Sequence, residues 1–142
     1  MSVLTHININ GMAVIDSLAI AFDDTLNVIT GETGAGKSII IKALGLLTGG
    51  KASSEMVRTG CSQAVVTGIF KVTLQHKVVA LLDSLGLAAS AEGDECSVIL
   101  RRQISATGKS NAWVNDVPIT VNALRSVGHL LVDIFGQQEN LR

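Results

Sequence analysis

Residues Gly31 to Ser38 read Gly-Glu-Thr-Gly-Ala-Gly-Lys-Ser. The spacing G-x-x-x-x-G-K-[ST] is that of a phosphate-binding loop, which works where a strand ends and a helix begins. Both neighbours are present. Leu26-Asn27-Val28-Ile29-Thr30 is a short apolar strand, and Ile39 to Leu47 is an apolar helix with Lys42 as its one charge. Each position has a physical reason. Gly31, Gly34 and Gly36 let the backbone turn tightly and aim several N–H groups at one concavity. Side chains there would block the approach of a phosphate. The whole run, Glu32, Thr33 and Ala35 included, is therefore assigned to nucleotide binding. The following helix adds its dipole and its free N–H groups. Lys37 places a cation on the β- and γ-phosphates, and the Ser38 hydroxyl is a hard oxygen ligand for Mg²⁺. ATP is favoured over GTP, because the chain has no Asn-Lys-x-Asp pattern to read guanine.

Composition narrows the classes further. The chain has 142 residues, 11 basic and 12 acidic, for a formal net charge of −1, and 47% are hydrophobic. That length suits one domain or one lobe of a larger one, burying roughly two-thirds of the unfolded surface. The low charge excludes a disordered chain. No polybasic segment is present, so a nucleic-acid role has to come from a local site or from other parts of a protein. Cys61 and Cys96 form no CxxC pair, which excludes a disulfide scaffold or a Cys-rich zinc site. They are expected to be reduced, buried residues. His6, His76 and His129 have no metal-ligand spacing. Without an apolar run of membrane length or a signal peptide, the expectation is a cytoplasmic protein with no membrane partner.

Along the chain, the pattern predicts an antiparallel pair within Val3–Phe22 turning at Asn10-Gly11, then the strand and helix around the phosphate loop, stopped at Thr48-Gly49-Gly50. Lys51 to Gln63 reads as irregular. Ala64–Thr73 is a strand, His76–Leu85 a helix closed by Gly86, and Ala88–Asp94 a loop. Cys96–Ile104 and Asn111–Val114 are strands joined by the turn Ala106–Ser110, and Asn115-Asp116 signals a second hairpin. Thr120 caps a helix expected to end at Gly128, and Leu130–Phe135 reads as an apolar strand. Ala106-Thr107-Gly108-Lys109-Ser110 mimics part of the loop motif but is a turn with a solvated lysine. Arg101 and Arg102 are expected on a solvated sheet edge, and Trp113 is expected to pack rather than stack on a base. The fold class that follows is α/β with an antiparallel side sheet.

A phosphate loop needs a further polar group for Mg²⁺ or for the attacking water. Two candidates stand. Asp133 ends the apolar run Leu130-Leu131-Val132, as a Walker B carboxylate would, although Ile134 follows where a Glu is usual. Gln137 lies just beyond, at the kind of sheet end that binds ligands in α/β folds.

The motif with its flanks resembles the RecN family of bacterial DNA repair ATPases, relatives of the SMC proteins. The similarity runs through Leu4-Thr5-His6-Ile7, Leu26 to Thr30, Ala43 to Leu47, Lys51-Ala52-Ser53, Leu100 to Ser105, Ala112 to Asn115 and Leu130 to Gln137. The resemblance implies a P-loop NTPase fold: the N-terminal lobe of an ABC-type ATPase head, with an antiparallel β subdomain. Residues 1–142 would then be one partial head domain, cut before the coiled coil and the C-terminal lobe. No Leu-Ser-Gly-Gly signature and no Asp-Glu after an apolar strand is present. The resemblance favours Gln137 over Asp133, as the Q-loop residue that senses Mg²⁺ and the attacking water. It implies a second ATPase head as partner, DNA bound by the full-length protein, and a place in the bacterial cytosol or nucleoid. Two departures bear on fine tuning: Phe135-Gly136-Gln137-Gln138 stands where the family has His-Gly-Gln-His, and Lys51 stands where an arginine is usual. Lysine keeps that charge but loses the bidentate fork. The expected activity is ATP hydrolysis by the full-length protein, with weak binding and little turnover by this segment. Two rivals remain: a self-contained small kinase or phosphotransferase using Asp133, and a non-enzymatic module with an idle nucleotide site.

Overall fold

The computed structural model describes residues 2–12, 15–21, 34–74, 77–87 and 90–132. Among these described residues, seven antiparallel strands form one sheet: β1 (Ser2–Met12), β2 (Ile15–Ala21), β3 (Gln63–Thr73), β4 (Ser90–Glu92), β5 (Glu95–Ser105), β6 (Ser110–Val114) and β7 (Val117–Ile119). Their order is β2-β1-β3-β5-β6-β7, with β4 pairing the start of β5. Three helices join them: α1 (Gly34–Leu47), α2 (Lys77–Ser84) and α3 (Val121–Val132). A short 3-10 turn, Ser54–Met56, lies between α1 and β3.

The sheet has one buried face, and the period of two in the sequence sets it. In β3 and β5 every even-numbered residue from Ala64 to Val72 and from Cys96 to Ile104 is buried, while their odd-numbered neighbours are half-buried or exposed. α1 packs on β3 and β5, and α3 packs on β6 and β1. The core joins Phe70, Val98, Leu100 and Val114 from the sheet to Leu46 and Leu47 of α1, Leu82 of α2 and Leu124, Val127 and Leu131 of α3.

Strand β1 needs a correction of phase. Leu4 pairs with Phe70 but His6 pairs with Ile69, so Thr5 is an extra residue on β1. This bulge moves the inward set from Leu4 to Ile7 and Ile9. The Thr5 hydroxyl donates to the Ile69 carbonyl at 3.1 Å, occupying an acceptor beside the bulge.

Several expectations change. Asn10-Gly11 is not the hairpin turn: β1 runs through it, and the pairing extends to Met12↔Ile15. Gly11 takes φ 66° within the strand, where its missing Cβ leaves room for the Gln63 carbonyl. The expected loop at 88–94 contains β4, which turns into β5 through Gly93-Asp94. Strand β5 is central, not an edge, because β3 and β6 flank it. The second hairpin is as expected: Asn115 (φ 51°) and Asp116 (φ 68°) make the two positive-φ positions of a tight turn, and Asn115 Oδ1 accepts from the Ile99 N–H at 2.9 Å. Pro118, which has no N–H to give, sits on the edge strand β7.

The largest difference concerns α3. The Thr120 Oγ1 accepts from the Ala123 N–H at 3.1 Å, so the cap is as expected. The helix does not stop at Gly128 but continues to Val132, and Leu130–Val132, expected as strand, are its last turn. Leu124, Val127 and Leu131 form a fully buried stripe at helical spacing. A short apolar run cannot distinguish a strand from a buried helix turn by its own period. Gly128 is there for close packing: a Cβ would lie 2.6 Å from the Thr48 Cα of the α1 terminus. The expected strand 26–30 lies outside the described residues.

Two predictions follow from this packing. Gly128→Ala gains about 1 kcal/mol of helix propensity but forces backbone apart, a cost of about 1–3 kcal/mol. A lower denaturation midpoint is therefore expected, and a raised midpoint would show that the contact has room to spare. Cys61 is half-buried and Cys96 buried, both as free thiols, and burial pushes the Cys96 thiol up from its ordinary value. A thiol reagent at neutral pH should modify Cys61 first and Cys96 only in denaturant. Equal rates without denaturant would contradict that arrangement.

Candidate nucleotide site on the phosphate-loop helix

Helix α1 begins inside the motif. Gly34, Ala35, Gly36, Lys37 and Ser38 lie in its opening turns, while Gly31, Glu32, Thr33, Asp133 and Gln137 lie outside the described residues. The first four N–H groups of a helix have no partner within it, so those of Gly34 to Lys37 are the ones free to serve a ligand. No acidic residue stands in the first turn of α1. Nothing on the helix itself opposes an anion there, and the donor set of backbone N–H groups, a lysine and a serine suits a phosphate with its Mg²⁺.

The other end of α1 is closed in detail. The Gly49 N–H donates to the Leu46 carbonyl at 3.2 Å and the Gly50 N–H to the Gly45 carbonyl at 2.8 Å. With Gly49 at φ 86°, this is a Schellman cap. Helix α1 carries no basic residue in its last turn. Two arginines from elsewhere fill that role. Arg102, on β5 and 3% exposed, donates through Nη1 to the Leu46 carbonyl at 2.8 Å and to the Gly50 carbonyl at 2.9 Å. Its Nε donates to the Ser110 Oγ at 2.8 Å. Arg125, on α3, donates through Nη2 to the Gly49 carbonyl at 3.1 Å and through Nη1 to the Asn122 Oδ1 at 2.8 Å.

Arg102 was expected on a solvated edge, and the structure reverses that. It sits on the buried face, in register between Val66 of β3 and Ala112 of β6. Burial first, and then the charge of Arg125, hold its guanidinium below the ordinary arginine value. Among the described residues its hydrogen bonds go to two carbonyls and a hydroxyl. The negative end of the α1 dipole favours a cation at this place. The sequence carried a signal for this: Cys96, Val98, Leu100 and Ile104 alternate inward, and position 102 falls on the same side.

Arg101 faces the other way, with its guanidinium 4.3 Å from the ring centroid of Trp113. Such a contact contributes about 0.5–1 kcal/mol at a partly exposed site. Trp113 is half-buried and pairs with Arg101 and Pro118 across its two neighbouring strands, so it packs as expected. Lys109 is exposed in the β5–β6 turn, where its N–H donates to the Ser105 Oγ at 3.0 Å. His6 and His129 are exposed, and no group of three potential metal ligands occurs among the described residues. Asp133 no longer follows a strand, because Leu130–Val132 are helical. That removes the local reason for reading it as a Walker B carboxylate.

Comparison with known proteins bears on this geometry. A family model described as an AAA domain matches residues 6–111. The chain belongs to this AAA-domain family. It is also 43% identical over 137 residues to "DNA repair protein RecN" of Halalkalibacterium halodurans, covering 96% of this chain and 24% of that protein. The RecN protein of Bacillus subtilis matches at 43% over the same length, with 96% and 23% covered. The RecN resemblance therefore extends over nearly the whole chain, and the chain spans about a quarter of the length of these relatives. Among solved structures, one titled for the "ATP-driven dimerization and DNA stimulated activation of SMC ATPases" matches with a TM-score of 0.65 and 19% identity, covering 91% of this chain and 79% of that one. The AAA-domain chain thus shares the fold of an SMC-type ATPase, as the resemblance implied. No helix among the described residues is long and apolar enough to cross a membrane.

Removing the Ser110 hydroxyl tests the buried arginine directly. Ser110→Ala leaves the Arg102 Nε without its partner, at a cost of about 1–3 kcal/mol. Chemical denaturation should show the lower stability, and an unchanged midpoint would mean that the Nε bond contributes nothing.

Proposed function

We propose that this AAA-domain chain is the nucleotide-binding lobe of an ATPase head in a RecN-type DNA repair protein. The observation that carries the reading is the start of α1 at Gly34, inside a complete phosphate-loop motif. The backbone of Gly31 to Gly36, with Glu32, Thr33 and Ala35, would cradle the phosphates of ATP. Lys37 would neutralise the β- and γ-phosphate oxygens, and Ser38 would hold Mg²⁺. The ion's contribution is charge neutralisation and alignment at those oxygens. Gln137 is the proposed group for orienting the attacking water, near the Mg²⁺. It follows α3 closely in sequence, and the loss of the strand before Asp133 favours it over that carboxylate.

In this reading residues 1–142 are one lobe, and catalysis needs groups that another lobe or a second head supplies. The SMC ATPase of similar fold is titled for ATP-driven dimerization. The same logic here gives engagement of two heads around bound ATP, coupled to holding DNA by the complete protein in the bacterial cytosol or nucleoid. ATP hydrolysis then belongs to the assembled heads rather than to this segment.

Calorimetric titration with Mg·ATP, on the wild type and on Lys37→Ala, tests the reading alongside steady-state hydrolysis. Binding should be lost in the variant, with negligible turnover by the isolated segment. Brisk turnover, or phosphoryl transfer to a small acceptor, would instead favour a self-contained kinase. Unchanged affinity in Lys37→Ala would mean that the loop is idle.

A further inference from the structure

The nucleotide site uses one end of α1 and leaves the buried cation at the other end unexplained. We infer that Arg102 is a positioning residue for the phosphate loop, acting through α1. The inference rests on the nucleotide-binding reading above.

Stability alone does not call for an arginine at this position. The other inward residues of β5 are Cys96, Val98, Leu100 and Ile104, and an apolar side chain of similar volume would continue that series. Replacing buried charge by apolar volume is often neutral or stabilising. The carbonyls of Gly45 and Leu46 already have partners in the Schellman cap. What Arg102 adds is direction. Apolar packing between α1 and the sheet is non-directional, and it leaves the helix free to turn or slide by small amounts. The bonds from Nη1 to the Leu46 and Gly50 carbonyls, with Nε held on Ser110, fix the α1 terminus against β5 and β6.

The lever is a single helix. α1 is continuous over 14 residues, Gly34–Leu47, roughly 21 Å at its rise per residue. A tilt or rotation allowed at Leu46 displaces the N–H groups of Gly34 to Lys37. Sites that stabilise developing charge lose much of their effect when the donors move by a fraction of an ångström.

The same terminus is tied to α3. Arg125 bonds the Gly49 carbonyl, and two glycines meet the opposite backbone. A Cβ on Gly49 would lie 2.8 Å from the Arg125 Cα, and one on Gly128 would lie 2.6 Å from the Thr48 Cα. Helix α3 ends at Val132 and leads in sequence toward Gln137. The phosphate-loop helix and the helix that precedes Gln137 therefore share one anchor, with Arg102 beneath it.

The test uses the complete polypeptide that carries this segment, with Mg·ATP as the probe. Affinity is measured for the wild type, Lys37→Ala, Arg102→Met and Arg102→Lys, each checked as folded by circular dichroism. Amide hydrogen exchange is followed along α1. Arg102→Met should weaken Mg·ATP binding about tenfold, within the range known for residues that act at a distance. It should also speed exchange at Gly34 to Lys37, not only near Leu46. Arg102→Lys keeps the charge and one donor group, and should fall between the two. A folded Arg102→Met that binds as the wild type does, with faster exchange confined to Leu46–Gly50, overturns the inference while Lys37→Ala still reports a working nucleotide site. Unchanged binding in Lys37→Ala removes the nucleotide reading and this inference with it. If Arg102→Met does not fold, the exposed Arg125 decides: Arg125→Met should weaken binding about threefold, and unaltered affinity overturns the shared anchor.

Discussion

A helix that ends beneath a sheet leaves carbonyl groups where water cannot reach them, and each one without a partner costs free energy. α1 ends in that situation and brings no basic residue of its own to the last turn. The Schellman cap closes its end, and Arg102, 52 and 56 residues away, adds a charged donor to the Gly50 and Leu46 carbonyls. Arg102 reaches them from β5 in the centre of the sheet, with its Nε held by the Ser110 hydroxyl. Arg125 reaches the neighbouring Gly49 carbonyl from α3. Burial first, and then the charge of Arg125, lower the basicity of Arg102, yet the carbonyls that the two arginines face accept hydrogen bonds from both. The arrangement caps α1 at its C-terminal end, while its N-terminal end carries the positive pole of the helix dipole.

The sheet supplies the rigid side of this pairing. Its strands are joined mostly by short turns, and β3 pairs along most of its length with β1 and along all of it with β5. The Thr5 bulge is a small device with a large effect, since it lets Leu4 and the pair Ile7 and Ile9 face the same core. Helices α1 and α3 pack on that face, and α2 packs on α3. The outer face, with Arg101 on Trp113, is dressed by polar and half-buried residues instead. The fold that results is shared with an SMC-type ATPase at 19% identity, so the architecture tolerates wide change in sequence.

Much of this was legible in the residues. Period two gave β3, β5 and β6 nearly to their ends, and Asn115-Asp116 marked a tight turn because only that kind of turn favours positive φ at both positions. The loop motif announced α1, although the helix begins at Gly34 inside the motif rather than at Ile39, and Thr48-Gly49-Gly50 marked its end. The misses share a cause. Asn10-Gly11 has the chemistry of a turn, but it lies in a strand because β3 approaches Gly11 and the pairing of β1 with β2 runs on to Met12↔Ile15. Gly128 has the chemistry of a helix stop, but it lies within a helix because the α1 terminus approaches it. Leu130-Leu131-Val132 is too short and too apolar to declare its own period.

The sequence by itself determined the local matters: the phosphate-loop motif, the alternation that separates the two sheet faces, the caps at Thr120 and Gly49, and the resemblance to RecN. These depend on spacing within a few residues, where backbone sterics and hydrogen-bond reach decide the outcome. Only the tertiary structure decided the fate of Arg102, the reach of α3 to Val132 and the reason for Gly128. Each of those turns on a partner far away in the chain, and whether a charge is solvated or buried, or a glycine is a stop or a point of contact, is settled by what packs against it.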